Sequence, residues 1–125
     1  MIKKILIVDD SPVARKMLKS CLPKDEGYEF HEAGDGREGF EKYKDIAPAV
    51  TFMDLTMPVM SGYEAIEAII NHDKNAVIIV VTADVQMKAI NRVLELGAYM
   101  VLKKPLKRED IQSALSKVND TFQKV

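Results

Sequence analysis

Apolar and polar positions follow two rhythms along this chain. Continuous aliphatic runs recur at Ile5-Leu6-Ile7-Val8, Val50-Thr51-Phe52-Met53, Val77-Ile78-Ile79-Val80-Val81 and Met100-Val101-Leu102. Uninterrupted runs of this length predict parallel strands covered on both faces. Tyr28 to Ala33 behaves differently, setting Tyr28 and Phe30 against Glu29 and His31, the pattern of a half-exposed edge strand. Predicted strands therefore span residues 4–8, 28–33, 49–53, 76–81 and 99–103.

Helical spacing fills the intervals. Ser11-Pro12 opens a helix, with Ser as N-cap and Pro at the first helical position. Val13, Met17, Leu18, Cys21 and Leu22 keep its apolar spacing, and Pro23 stops it. Gly34-Asp35-Gly36 turns into a helix over 37–45 with Phe40 and Tyr43 inward, weakened by about 1 kcal/mol at Gly39. A loop with Pro58 and Gly62 precedes a helix over 63–71 carrying Ala65, Ile66, Ile69 and Ile70. The next helix, 85–96, is capped by Gly97. Ile111, Ala114, Leu115, Val118 and Phe122 stripe the last one.

Five strands alternating with five helices on short loops predict a doubly wound α/β fold of flavodoxin-like strand order 2-1-3-4-5. Strands 1, 3 and 4 then lie inside, with 2 and 5 at the edges. A chain of 125 residues suits a single domain, so residues 1–125 are expected to form one unit. Only one helix follows Leu106, and no output domain is expected.

Charge and cysteine content narrow the function classes. The net charge of −1 gives no bulk pull toward nucleic acid or an anionic membrane. Cys21 is the only cysteine, which excludes an intramolecular disulfide and fits a buried structural thiol. No run approaches the ~18 apolar residues of a membrane span. The aliphatic start is cut by Asp9-Asp10, too early for an export signal, so a cytoplasmic protein without membrane insertion is expected.

The strand ends carry the chemistry. The first run ends at Asp9-Asp10, the third strand at Asp54, the fourth at Thr82 and the fifth at Lys103-Lys104-Pro105. In the predicted order all of these gather at one rim, beside the switch point between strands 1 and 3. Crowded carboxylates repel unless a positive charge sits among them. Oxygen-only ligands favour Mg²⁺ or Mn²⁺, and isolated His31 and His72, expected to face solvent, argue against zinc. A pocket neutralised by Mg²⁺ and Lys104 can accept a phosphoryl group. Asp54 stands alone at a central strand end and is the candidate nucleophile for an acyl phosphate. Thr82 can donate a hydroxyl to the phosphoryl group, and Lys104 can reach it from the other side. Each feature alone has a bland reading: Asp9-Asp10 as helix-terminus decoration, Asp54 as a turn residue, Lys-Pro as an ordinary loop. Their joint occurrence at strand ends favours function.

These residues resemble the receiver domain of two-component response regulators over essentially the whole chain. The carriers are Ile5 to Ser11, Met53-Asp54-Leu55-Thr56-Met57-Pro58, Gly62, Val81-Thr82-Ala83 and Lys104-Pro105. The resemblance implies that a sensor histidine kinase or a small phosphodonor phosphorylates Asp54. It implies Mg²⁺ held by Asp10, Asp54 and the backbone carbonyl of Thr56, with Asp9 acting through water, and a cis Lys104-Pro105 bond. It implies Thr82 and Lys104 on the phosphoryl group, and a switched surface formed by the fourth helix, fifth strand and fifth helix. The expected role is a phosphorylation-activated switch of the stand-alone chemotaxis type in a phosphorelay, not a turnover enzyme. It would dock on a downstream target protein, with a phosphatase as a further partner.

Three positions depart from the family pattern or vary within it. Val101 stands where an aromatic residue usually pairs with the threonine in switching, with Tyr99 two residues earlier and on the same face by parity. Thr56 and Asp84 occupy positions that tune dephosphorylation in such domains. Two other functions compete. A small aspartate-nucleophile phosphatase would usually carry an acid where Thr56 stands, and a flavin-binding protein would need a phosphate loop where Asp9-Asp10 stands.

Overall fold

The computed structural model of the chain describes residues 2–123, without the side chains of 122 and 123, so the inward contact expected of Phe122 lies outside the described residues. The elements are β1 (Lys4–Val8), α1 (Pro12–Cys21), β2 (Glu29–Ala33), α2 (Gly36–Ile46), β3 (Val50–Met53), α3 (Gly62–His72), β4 (Ile78–Thr82), α4 (Met87–Leu96), β5 (Met100–Lys103) and α5 (Arg108–Gln123). All strands are parallel, in the order β2-β1-β3-β4-β5. The predicted topology holds. Among the described residues no helix is long and apolar enough to cross a membrane.

Alternation along the buried strands builds two cores. Ile5, Ile7, Val50, Phe52, Ile79 and Val81 meet α1 and α5 through Leu18, Leu22, Ile111, Leu115 and Val118. Leu6, Val8, Met53, Ile78 and Val80 meet α2, α3 and α4 through Tyr43, Ala65, Ile66, Ile69 and Val93. The runs of β1, β3 and β4 thus bury both of their faces. Burying one such side chain contributes about 1.5–3 kcal/mol. β5 is only partly buried, and β2 exposes Glu29 and Phe30, as edge strands do.

Four expectations need correction. Val13 and Met17 are 68% and 55% exposed. They sit one residue, about 100° of helix, off the inward line through Ala14 and Leu18. Cys21 is half-buried against the α1–α5 core. Gly39 is where α2 lies against β1, since a Cβ there would come within 2.9 Å of the Val8 methyls, so its low helix propensity is offset by close packing. α4 starts at Met87, because the Asp84 N–H donates to Thr82 Oγ1 and the Gln86 N–H donates to Asp84 Oδ1, both at 3.0 Å. Those side-chain turns hold the segment out of the helix. At its other end α4 stops at Gly97 with φ 114°.

The histidines are not both free. His31 is half-buried and 2.7 Å from Glu29 Oε2, whereas His72 is exposed with its ring edge-on to Phe40 and Tyr43. Tyr43 donates its hydroxyl to Asp73 at 2.8 Å, and burial followed by that carboxylate pushes its phenol well above the usual value.

Among the described residues one buried side-chain polar atom is stranded. Thr51 Oγ1 on β3 is buried and has no hydrogen-bond partner. A buried hydroxyl of this kind costs about 1–3 kcal/mol. Thr51→Val should therefore raise the unfolding free energy by about 1 kcal/mol, seen as a higher denaturant midpoint at unchanged slope. An unchanged or lower midpoint would mean that the hydroxyl has found a partner.

Candidate functional site

Parallel register brings the strand ends together. Val8 pairs with Met53, and Met53 with Val80, so the residues that follow them emerge at one level of the rim. The Asp54 N–H donates to the Val8 carbonyl at 3.0 Å, and the Lys104 N–H donates to the Thr82 carbonyl at 2.8 Å. Asp9, Asp54, Thr82 and Lys104 thus lie at or one residue beyond the ends of strands whose positions hydrophobic burial has already set.

Asp9, Asp10 and Asp54 each offer an oxygen, and these oxygens all lie within 4.8 Å of one another. Asp9 is buried, Asp10 is exposed, and the Asp54 side chain is 12% exposed. Lys104 supplies the compensating charge. Its Nζ lies 3.0 Å from Asp9 Oδ2 and 3.3 Å from Asp54 Oδ1. The other Asp9 oxygen accepts from the Ser11 N–H at 2.9 Å. Both Asp9 oxygens are therefore engaged, which suits a contact with a cation through water.

Electrostatics follow from this crowding. Burial first, and then the Asp9 charge, hold Asp54 above the usual carboxylate value against the pull of Lys104. Burial alone would lower Lys104, but its hydrogen bond to Asp9 and the charges of Asp54 and Asp9 outweigh that and raise it. Thr82 is buried. Its Oγ1 already accepts from the Asp84 N–H, which leaves its proton to donate toward Asp54's neighbourhood.

The loop after β3 is folded hard against the site. A Cβ on Gly62 would lie 2.1 Å from the Asp54 carbonyl oxygen, and one on Gly36 would lie 2.2 Å from the Met60 carbonyl oxygen. Gly62 donates its N–H to Leu55, and Gly36 donates its own to Met60. Thr56 opens this loop and is exposed, and its carbonyl accepts no backbone hydrogen bond among the described residues. The three carboxylates form a hard, oxygen-only donor set that fits Mg²⁺. Beside them opens a cleft of about 390 Å³, walled by Met17, Phe52, Ala83, Pro105 and Leu106, within the size range of small-molecule sites.

All six sequence-predicted site residues lie at this rim, and the Lys104-Pro105 bond is cis. Tyr99 does not share Val101's face. It precedes β5 and packs toward α5, its hydroxyl 2.9 Å from Thr121 Oγ1, while Val101 packs on the opposite core. Arg15 is the residue that the sequence reading missed, donating from Nη1 to the Asp9 carbonyl. A cation in the first turns of a helix that lacks acidic residues there runs against the helix dipole, and that was the available signal.

Comparison with known proteins agrees with this geometry. The model of the response regulator receiver domain family matches residues 5–116. The chemotaxis protein CheY of Thermotoga maritima is 42% identical over 94% of this chain and 98% of its own length. The CheY of Treponema pallidum is 38% identical over 92% of this chain and 81% of its own. Among solved structures, a CheX–CheY–BeF₃–Mg²⁺ complex from Borrelia burgdorferi superposes with TM-score 0.87 at 32% identity, covering 93% of this chain and 88% of that one. A CheY-like receiver domain protein from Methanospirillum hungatei gives TM-score 0.89 at 26% identity with complete coverage of both chains.

The raised Asp54 makes stability depend on pH. Unfolded, its carboxyl ionises near 3.8, while folded it holds the proton to higher pH. Between the two values the folded state binds more protons, so stability falls as pH rises, and the loss is complete above the folded value. Denaturant unfolding of metal-free protein in EDTA from pH 4 upward should show this fall, and Asp54→Asn should remove it. Identical profiles for the two proteins would contradict the assignment.

Proposed function

Because the chain belongs to the response regulator receiver domain family and is a phosphorylation-activated signalling switch, we propose that Asp54 is its phosphoryl acceptor. The observation that carries this reading is Lys104 lodged between Asp9 and Asp54 at the rim of the sheet. An Asp54 oxygen attacks the phosphorus of a phosphohistidine on a sensor kinase, or of a small acyl phosphate. The new O–P bond forms as the donor's bond to phosphorus breaks, and the electron pair leaves with the donor. Thr82 and Lys104 then take the phosphoryl oxygens. Asp10, Asp54 and the Thr56 carbonyl would hold Mg²⁺, with Asp9 behind an intervening water. A bound Mg²⁺ offsets the charge that gathers as carboxylates and phosphoryl oxygens approach.

The product is a changed surface, not a released metabolite, so the protein acts as a switch that takes part in its own phosphorylation and dephosphorylation. The chemotaxis relatives described above lend no support to a phosphatase, and Thr56 stands where such an enzyme usually carries an acid. The downstream target docks on α4, β5 and α5. Met87 and Leu94 on α4 are large apolar side chains left exposed, which supports a docking role for that face.

Acetyl phosphate with Mg²⁺ should place one acid-labile phosphate on the wild-type chain and none on Asp54→Asn, by intact mass. Chelating the metal should abolish the modification, and modification persisting in Asp54→Asn would refute the site. Beryllofluoride should promote capture of a target protein. Leu94→Glu should weaken that capture about tenfold or more while leaving phosphorylation intact. Equal capture by both proteins would move the docking face elsewhere.

A further inference from the structure

Asp10 differs from the other acids of the site in how it is held. Asp9 and Asp54 are gripped through their carboxylates by Lys104. The exposed Asp10 carboxylate has no hydrogen bond or ion pair among the described residues. Only the backbone can aim it. That backbone is pinned at two points: the Asp9 N–H donates to the Ala33 carbonyl at 3.1 Å, and the Asp9 carbonyl accepts from Arg15 Nη1.

Arg15 is itself fixed. Its side chain is 17% exposed, and its Nε donates to Glu32 Oε1 at 2.9 Å. Lys19 donates to the other Glu32 oxygen at 2.8 Å, and Lys42 donates to the Glu32 carbonyl. The planar fork of a guanidinium holds a carboxylate and a carbonyl in one fixed geometry, whereas an ammonium on a flexible stem sets no fixed angle between two acceptors. The chain β2–Glu32–Arg15–Asp9 therefore runs from a sheet edge to the peptide that precedes Asp10.

We propose that Arg15, anchored by Glu32, is a positioning residue for the cation site, fixing the Asp9–Asp10 peptide plane and so the direction in which Asp10 presents its carboxylate. This role rests on the reading of Asp10 as a ligand. It differs in sign from a field effect. The positive charge of Arg15 opposes cation binding, so neutralising it would tighten binding if charge alone mattered. Positioning demands the reverse. It also separates cations: Mg²⁺ requires near-octahedral geometry, whereas Ca²⁺ accepts irregular shells.

Calorimetric titration of the full chain with Mg²⁺ and with Ca²⁺ tests the role in Arg15→Lys and Arg15→Met, with thermal melts confirming the fold. Both variants should bind Mg²⁺ about tenfold more weakly, the scale of a lost supporting contact, with Ca²⁺ affinity changed by about twofold or less. If neither variant folds, Glu32→Leu, which keeps Arg15 but removes its anchor, should show the same loss of Mg²⁺ over Ca²⁺ preference. Mg²⁺ affinity within about twofold of wild type, tighter binding in Arg15→Met, or equal losses for both cations would overturn the role while leaving the site intact. A wild-type chain that binds no Mg²⁺, or an Asp10→Asn variant that binds it undiminished, would overturn site and role together.

Discussion

The rim of this sheet is governed by like-charge repulsion held in check by one ammonium group. Three acids converge there because each lies in or beside a buried strand end, and burial sets those ends whatever the acids prefer. Lys104 arrives from the far side of the sheet, 95 residues along the chain from Asp9, and bridges Asp9 and Asp54. Isolated surface ion pairs contribute little, but one enclosed among buried acids resolves a conflict that the fold itself imposes. The neutralisation is incomplete, since one ammonium faces three carboxylates. The leftover negative charge is what a divalent cation would answer.

Around that conflict the scaffold is rigid. Thr82 is aimed by a backbone amide, Asp9 by Ser11 and Lys104, and the loop after Asp54 by two contacts too close for a methyl group. The side chains proposed to accept and hold the phosphoryl group are thus preorganised. Tyr99 is tied to α5 through Thr121, and Val101 leaves no aromatic ring to swing with Thr82. Between β4 and α4 the Asp84 N–H donates to Thr82 Oγ1, so a change at Thr82 would act first on that loop.

What was legible in the sequence was everything covalently attached to a buried run. Asp9, Asp54, Thr82 and Lys104 each lie at or just beyond a strand end, so finding the strands found the site. The strand order followed from length and alternation. What escaped were contacts between side chains and distant backbone. The Asp84 turns that delay α4 compete locally with helix formation in a stretch whose apolar spacing still reads as helical. Tyr99 defeats parity because it lies before the first paired residue of β5, Met100. Arg15 and Glu32 lie 17 positions apart, and only the packing of α1 beside β2 joins them. The unpartnered Thr51 hydroxyl was hidden because, in a strand run, threonine counts as a β-branched residue like valine.

The two tight glycines carry a consequence for how such a site can diversify. At Gly36 and Gly62 backbone meets backbone with no space between, so the curvature of the loop cannot be adjusted by gradual change at either place. Variation is channelled to neighbours whose side chains face water, Thr56 and Val59, the latter held at φ 67° despite its branched side chain. A changed side chain at those two positions meets water, whereas a Cβ at either glycine would collide with backbone.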